Sequence, residues 1–160
     1  MEVGTALVVE DERSIGHLVA TIAARAGYSV DRAADGAEAI RLMDQTSYSV
    51  IILDLMMPKV SGFEVMEHIR ETECAQCVII LTAGSDRDIE KVDHSLIRKV
   101  IRKPFDVTEL EEELIGMRKD QGAARPARRK IGTVKLVPPR RSRRPSPMAA
   151  GFSSEDTGDD

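Results

Sequence analysis

Residues 50–62 read VIILDLMMPKVSG, and the way this run ends decides the fold. Val50, Ile51, Ile52 and Leu53 show no polar alternation, which suits a strand covered on both faces in a parallel sheet. Asp54 interrupts the run, and Pro58 and Gly62 punctuate the residues after it, so the strand ends at Asp54 or just beyond. Asp54 is therefore expected at the carboxyl end of a strand. In an open α/β sheet that edge is where ligands bind, which makes an acid there a candidate for chemistry.

The same alternation extends in both directions. Residues 5–9 (TALVV) read as a strand. Ser14 is placed to cap a helix over residues 15–26, whose Ile15, Leu18, Val19 and Ile22 recur at helical spacing, and Gly27 stops it. Residues 28–33 form a second strand, and Asp35 caps a helix to about residue 47 with Ala39, Leu42 and Met43 inward. Beyond the central strand, residues 63–70 make a helix with Phe63, Val65, Met66 and Ile69 as its apolar set. Residues 78–81 (VIIL) repeat the buried-strand signature. The stretch 86–94 is charged and short, a weak helix; Val100 and Ile101 give a brief strand; Asp106 caps a helix over 107–117 with Leu110, Leu114 and Met117 on one side. Five strands alternating with five helices imply right-handed βαβ units, hence an α/β, doubly wound parallel sheet.

Composition narrows the class. A chain of 160 residues is long enough for a real core. Two Cys and no Trp argue against a disulfide scaffold and fit a reducing cytosol. The amino end lacks a basic n-region, and there is no apolar run of about eighteen residues, so no membrane span and a cytoplasmic location are expected. The net charge of −4 hides a segregation. Residues 1–117 carry 12 Lys/Arg against 22 Asp/Glu, residues 118–147 carry 11 against one, and residues 148–160 add four acids. Two units are implied: a folded domain over 1–118, and a Pro/Arg/Ser-rich basic tail with an acidic end over 119–160. The tail's scattered apolar residues do not offset ordering entropy, so it reads as disordered.

Three acids and a lysine fall at one sheet edge. Glu10 and Asp11 end the first strand, Asp54 the third, Thr82 the fourth, and Lys103 comes after the fifth. Converging carboxylates repel one another, and a hard divalent cation such as Mg²⁺ relieves that repulsion while leaving room for a phosphoryl oxygen. Lys103 supplies an ammonium for a second phosphoryl oxygen and the Thr82 hydroxyl a hydrogen bond for a third. The set favours phosphoryl transfer to Asp54.

These residues carry a resemblance. Glu10-Asp11, Asp54 followed by Met57-Pro58 and Gly62, Thr82-Ala83, and Lys103-Pro104-Phe105 together resemble the receiver domain of two-component response regulators, over residues 3 to about 117. The resemblance implies the flavodoxin-like sheet order 2-1-3-4-5 with its site at the switch between strands 1 and 3. It implies Asp54 as phosphoacceptor, Mg²⁺ held by Asp11, Asp54 and the Met56 carbonyl, and Glu10 reaching the metal through water. Thr82 and Lys103 would take phosphoryl oxygens, and the Lys103-Pro104 bond would be cis. The implied donor is a histidine kinase or histidine phosphotransfer protein, and the implied output is contact with a downstream protein.

Two departures bear on output. The family usually has an aromatic residue three positions before the lysine, where this chain has Val100, and a Gly-Ala pair before the fifth strand, where this chain has residues 95–99 (SLIRK). The usual threonine/aromatic relay is therefore not expected in its standard form. Met56, two after Asp54, cannot orient a water, and Gly84, two after Thr82, leaves access open, so self-dephosphorylation is expected to be slow but not blocked.

Other features have plainer readings. Cys74 and Cys77 form CxxC, but closing a helix rather than opening one, with no second pair for zinc; ordinary packing is the better account. His17, His68 and His94 lie on separate segments, and the methionines suit core filling. The basic tail, with Ser142 and Ser146 in proline-flanked surroundings, lacks interleaved aromatics or a reading head, which ranks a solvated tail above nucleic-acid binding. The expected function is a stand-alone, non-enzymatic response regulator receiver signalling by protein contact. The rivals are a phosphate-independent interaction module of the same fold, a tail-led nucleic-acid binder, and a flavin-binding protein. The last is weakened because residues 11–16 (DERSIG) are not a phosphate-cradling loop.

Overall fold

The computed structural model describes residues 3–73, 75 and 77–123; Cys74, residue 76 and the part of the expected basic tail from residue 124 onward lie outside them. Five strands, β1 Thr5–Val9, β2 Ser29–Ala33, β3 Val50–Leu53, β4 Val78–Thr82 and β5 Ile97–Arg102, form one sheet in the order 2-1-3-4-5. Every pairing is parallel. Among the described residues five α-helices accompany them: α1 Arg13–Arg25, α2 Gly36–Met43, α3 Gly62–Thr72, α4 Asp86–Glu90 and α5 Val107–Ala123. The doubly wound, flavodoxin-like fold expected from the sequence is the one observed.

The uniform apolarity of the central strands comes from having a core on each face. Leu7, Val9, Ile51, Leu53 and Ile80 point to one side, against Ala39 and Met43 of α2 and Val65, Met66 and Ile69 of α3. Ala6, Val8, Val50, Ile52, Ile79 and Leu81 point to the other, against Val19, Ile22 and Ala23 of α1 and Leu110, Leu114 and Met117 of α5. Side chains alternate along a strand, so two covered faces leave no position for a polar residue. Val100 pairs with Ile80 and packs half-buried at the margin of the first of these cores.

Several boundaries differ from expectation. Helix α1 starts at Arg13 with Glu12 in the capping position, and the Ser14 hydroxyl donates to the Glu12 carboxylate at 2.9 Å instead of capping. Leu18 is 42% exposed, so α1 turns Val19, Ile22 and Ala23 inward and leaves Leu18 out. Helix α2 stops at Met43: the Asp44 carboxylate turns to His68, and the N–H groups of Gln45 and Thr46 both close onto the Leu42 carbonyl. Helix α4 is five residues long; Ser85 caps its start, and Asp93 caps a separate 3₁₀ turn at His94–Leu96.

Strand β5 is longer than the two apolar residues suggest. It takes in Ile97, Arg98 and Lys99, with a register shift that pairs Val78 with Ile97 and Ile79 with Lys99, leaving Arg98 as the extra residue. Charged residues and a bulge on an edge strand are ordinary protections against pairing with another chain. Arg98 and Lys99 instead pair with Glu113, Asp120 and Glu109 of α5. Helix α5 runs six residues past Met117, to Ala123, over the stretch where the tail is expected to begin. Its extension is anchored: Arg118 donates to the Ala26 carbonyl at 3.1 Å and Gln121 to the Ser49 carbonyl at 3.3 Å. Among the described residues no helix is long and apolar enough to cross a membrane.

Candidate functional site

The strand order reverses at β1, so the carboxyl ends of β1 and β3 open a crevice between the loops that leave them. Glu10 leaves β1 at that edge; its backbone N–H donates to Ala33, while its carboxylate, only 4% exposed, accepts from the Glu12 N–H at 3.1 Å. Asp54 comes directly after β3, its N–H held by the Val9 carbonyl at 3.1 Å. Asp54 is 5% exposed and Asp11 is exposed beside it. One ligand atom from each of Glu10, Asp11 and Asp54 falls within 4.8 Å of the others.

Lys103 closes the set. Its ammonium donates to Glu10 Oε2 at 2.5 Å and to Asp54 Oδ2 at 3.1 Å. The Lys103 N–H donates to the Thr82 carbonyl at 3.0 Å, and the Lys103-Pro104 bond is cis. Thr82 is fully buried at the end of β4, and its hydroxyl oxygen accepts from the Gly84 N–H at 3.0 Å. Glu10, Asp11, Asp54, Thr82 and Lys103 therefore gather at one edge.

The electrostatics are those of crowded acids with one cation. Burial pushes the Glu10 carboxyl above its usual range; the Lys103 hydrogen bond opposes this without cancelling it, and the Asp54 charge adds to it. For Lys103 burial alone would lower the ammonium's pKa, but hydrogen bonds to Glu10 and Asp54 outweigh it and leave it raised. The lysine stays charged and compensates carboxylates that have left water. Three hard oxygen donors, with one of them exposed to solvent, match what Mg²⁺ takes from a protein, since that ion keeps several waters.

Three contributions lie beyond the sequence reading. The Met56 N–H donates to Asp54 Oδ1 at 2.9 Å, so Asp54 is oriented by the backbone after it as well as by Lys103. Met56 is 52% exposed, leaving its side chain outside the core that holds Met43, Met57 and Met66. Gly62 lets helix α3 start directly against the chain at Asp54 and Leu55, and Lys59 turns the intervening loop with φ 64. The spacing from Asp54 to Gly62 carries a signal for the second; backbone N–H geometry leaves none for the first. The third is Arg102, which extends from β5 to the loop after β4. Its neighbour Lys103 can be matched to a phosphoryl oxygen from the sequence alone, whereas Arg102 cannot.

Of the other candidates, Cys77 is partly buried, donates to the Ser49 carbonyl at 3.4 Å, and has its thiol pushed up to about 11 by burial. It is an unreactive packing residue. His68 lies 2.9 Å from Asp44 at the surface, far in sequence from the acid cluster.

A five-stranded sheet in the order 2-1-3-4-5, with acids and a lysine gathered at its switch point, defines a flavodoxin-like receiver fold. The response regulator receiver domain model matches residues 6–115, and the chain belongs to that family. It is 33% identical over 132 residues to the transcriptional regulatory protein DltR of Streptococcus agalactiae, covering 81% of this chain and 58% of that protein. The chain thus spans little more than half the length of that relative. Among solved structures it is similar to the Francisella response regulator 1452 receiver domain, with TM-score 0.65 and 28% identity over 74% of this chain and 98% of that one. It is also similar to the response regulator TrrA of Thermotoga maritima in complex with Mg²⁺-BeF, with TM-score 0.62 and 31% identity over 71% of this chain and 98% of that one.

Proposed function

We propose that this chain accepts a phosphoryl group on Asp54 from a histidine kinase or histidine phosphotransfer protein, and signals through phosphorylation-dependent contact with a downstream protein. The observation that carries this reading is the Lys103 ammonium bridging Glu10 and Asp54 beside the exposed carboxylate of Asp11. The backbone N–H of Met56 fixes the Asp54 carboxylate, so the nucleophile is oriented before a donor arrives. An Asp54 oxygen bonds to phosphorus as the P–N bond of a phosphohistidine breaks. The imidazole leaves with the electron pair and takes its proton from solvent.

Lys103 is placed to follow the developing charge onto a phosphoryl oxygen, and the Thr82 hydroxyl, already accepting from Gly84, has its own proton free to donate to another. Glu10, Asp11 and Asp54, with the Met56 carbonyl, would hold Mg²⁺, which when bound neutralises charge on the carboxylates and the phosphoryl group. The catalytic demand is small, so the reading is of a signalling phosphoacceptor that assists its own transfer, in the cytoplasm, where histidine kinases act.

Incubation with Mg²⁺ and acetyl phosphate is expected to add one phosphoryl mass to the native protein and none to Asp54→Ala. Omitting Mg²⁺ or replacing Asp11 with Asn should slow incorporation by about 10-fold or more. Native protein that gains no mass would overturn the phosphoacceptor reading and leave an interaction module of the same fold. Once the donor is removed, the added mass should persist well beyond seconds, because Met56 offers no group to orient the attacking water.

A further inference from the structure

The family's aromatic switch position is occupied by Val100, which pairs with Ile80 across the sheet and packs half-buried against the apolar core. A different side chain of β5 does connect the pocket to the surface. Arg102 pairs with Thr82 across the sheet, and its guanidinium donates from Nη1 to the Gly84 carbonyl at 2.7 Å and from Nη2 to Asp86 Oδ1. Gly84 in turn donates its N–H to the Thr82 hydroxyl at 3.0 Å. One continuous set of polar contacts therefore runs from the Thr82 hydroxyl through both ends of the Gly84 residue to Arg102, and from there to the first residue of α4.

We propose that Arg102 is a positioning residue that ties the loop over residues 83–86 to β5 and carries displacement of the Thr82 hydroxyl to helix α4. The inference rests on the phosphoacceptor reading of Asp54. The backbone of Gly84 is the part that moves, since it holds the hydroxyl by its N–H and the guanidinium by its C=O. A shift of Thr82 toward a phosphoryl oxygen pulls the Gly84 backbone by its N–H, and the arginine transmits the pull because its planar fork engages the Gly84 carbonyl and Asp86 together. The Asp86 carboxylate is 88% exposed and the Arg102 side chain 48% exposed. That ion pair is weak by itself and serves to aim the guanidinium, while the partly buried bond to the Gly84 carbonyl is the firm link.

Helix α4 is five residues long with no fully buried residue, and it rests on the half-buried Ile89 and on Val92 just beyond its end. Such a lightly packed element is where a small input at the pocket produces a visible change. A lysine at position 102 would reach one acceptor or the other, so the two-pronged contact is specific to arginine.

The test loads full-length protein with Mg²⁺ and beryllofluoride and follows backbone amide shifts by NMR. In the native protein the amides of Gly84 and of residues 86–90 move on loading. In Arg102→Ala, Asp54 still takes the probe with affinity within about twofold of native and Gly84 still responds, while the shifts at 86–90 shrink about threefold or more. Equal shifts at 86–90 in R102A overturn the inference and leave the phosphoacceptor reading standing. An R102A protein that folds but does not load also overturns it, because Arg102 would then belong to the pocket. Failure of the native protein to load overturns both. Should R102A not fold, Arg102→Lys, which keeps the stem and the charge but engages only one of the two acceptors, is read by the same criteria.

Discussion

Replacing Lys103 with methionine is expected to destabilise the metal-free protein by about 3–5 kcal/mol near neutral pH, the cost of leaving partners of a buried ion pair uncompensated. The Lys103 side chain is 15% exposed and the Glu10 and Asp54 side chains 3% and 6%. Methionine keeps most of the stem's packing, so the loss reports on charge. The pH dependence comes from Glu10, whose pKa is raised first by burial in spite of the Lys103 hydrogen bond. A carboxyl raised in the folded state contributes stability that is fully present below its unfolded value of 4.5 and is lost as pH rises through the folded value. Without the ammonium the folded value rises further, widening the window over which the variant suffers.

The deficit of the variant relative to native should therefore shrink as pH falls from about 7 toward 4.5. On the alkaline side the sign is the same for the native protein: the Lys103 pKa is raised, so its contribution is present below 10.5 and lost as pH climbs through the folded value. Urea unfolding of native and variant at the two acid-side pH values measures this directly. Mg²⁺ should recover part of the loss, by replacing one cation with another among the same carboxylates. A deficit independent of pH and of Mg²⁺ would mean that Lys103 acts through its stem rather than its charge.

The parts of the fold legible in the sequence are those where burial leaves no choice of residue. Residues 50–53 and 78–81 are apolar at every position because each lies between two helical layers, and an acid directly after such a run has few structural explanations. Lys103 and Thr82 are legible for a related reason: both sit at or one step from strand ends already fixed by their neighbours. Where exposure relaxes the constraint, the pattern fades. The first half of β5 is Ile97, Arg98 and Lys99, whose charges belong to an edge strand paired with α5 and look the same as a loop in one dimension.

Leu18 lies outside the core because helical spacing admits two stripes through α1, and the choice between them is made by α5 and the sheet. The end of α5 escapes the sequence for a similar reason. Lys119, Asp120 and Gln121 give no apolar period, and their helix is held by Asp120 to Arg98 and by Gln121 to Ser49, contacts with residues far away in the chain. The orientation of Asp54 by the Met56 N–H leaves no sequence trace because it depends on backbone conformation alone. In each case the missing information is tertiary.

Gly62 is the position where tertiary geometry and the pocket meet most directly, and Gly62→Ala is expected to injure both. A Cβ there would lie 2.4 Å from the Asp54 carbonyl oxygen and 2.4 Å from the Leu55 Cα. Both obstacles are backbone, so no side chain can swing away, and the Gly62 N–H is itself bonded to the Leu55 carbonyl at 3.2 Å. Relief requires residues 54–55 or the start of α3 to shift. The expected cost is about 1–3 kcal/mol of overpacking, read by urea unfolding. Because the obstacle includes the peptide that carries Asp54, the carboxylate moves with it, and phosphoryl incorporation should slow by up to about 10²-fold for a displacement near 1 Å. Gly116→Ala supplies the contrast: in the middle of α5 its Cβ would meet nothing within 4 Å, so the same chemical change should stabilise by about 0.5–1 kcal/mol through helix propensity and leave incorporation unaltered. If G62A unfolds like native and incorporates phosphoryl at the native rate, the β3–α3 loop adapts without carrying Asp54, and the orientation of the acid rests on Lys103 and the Met56 N–H alone.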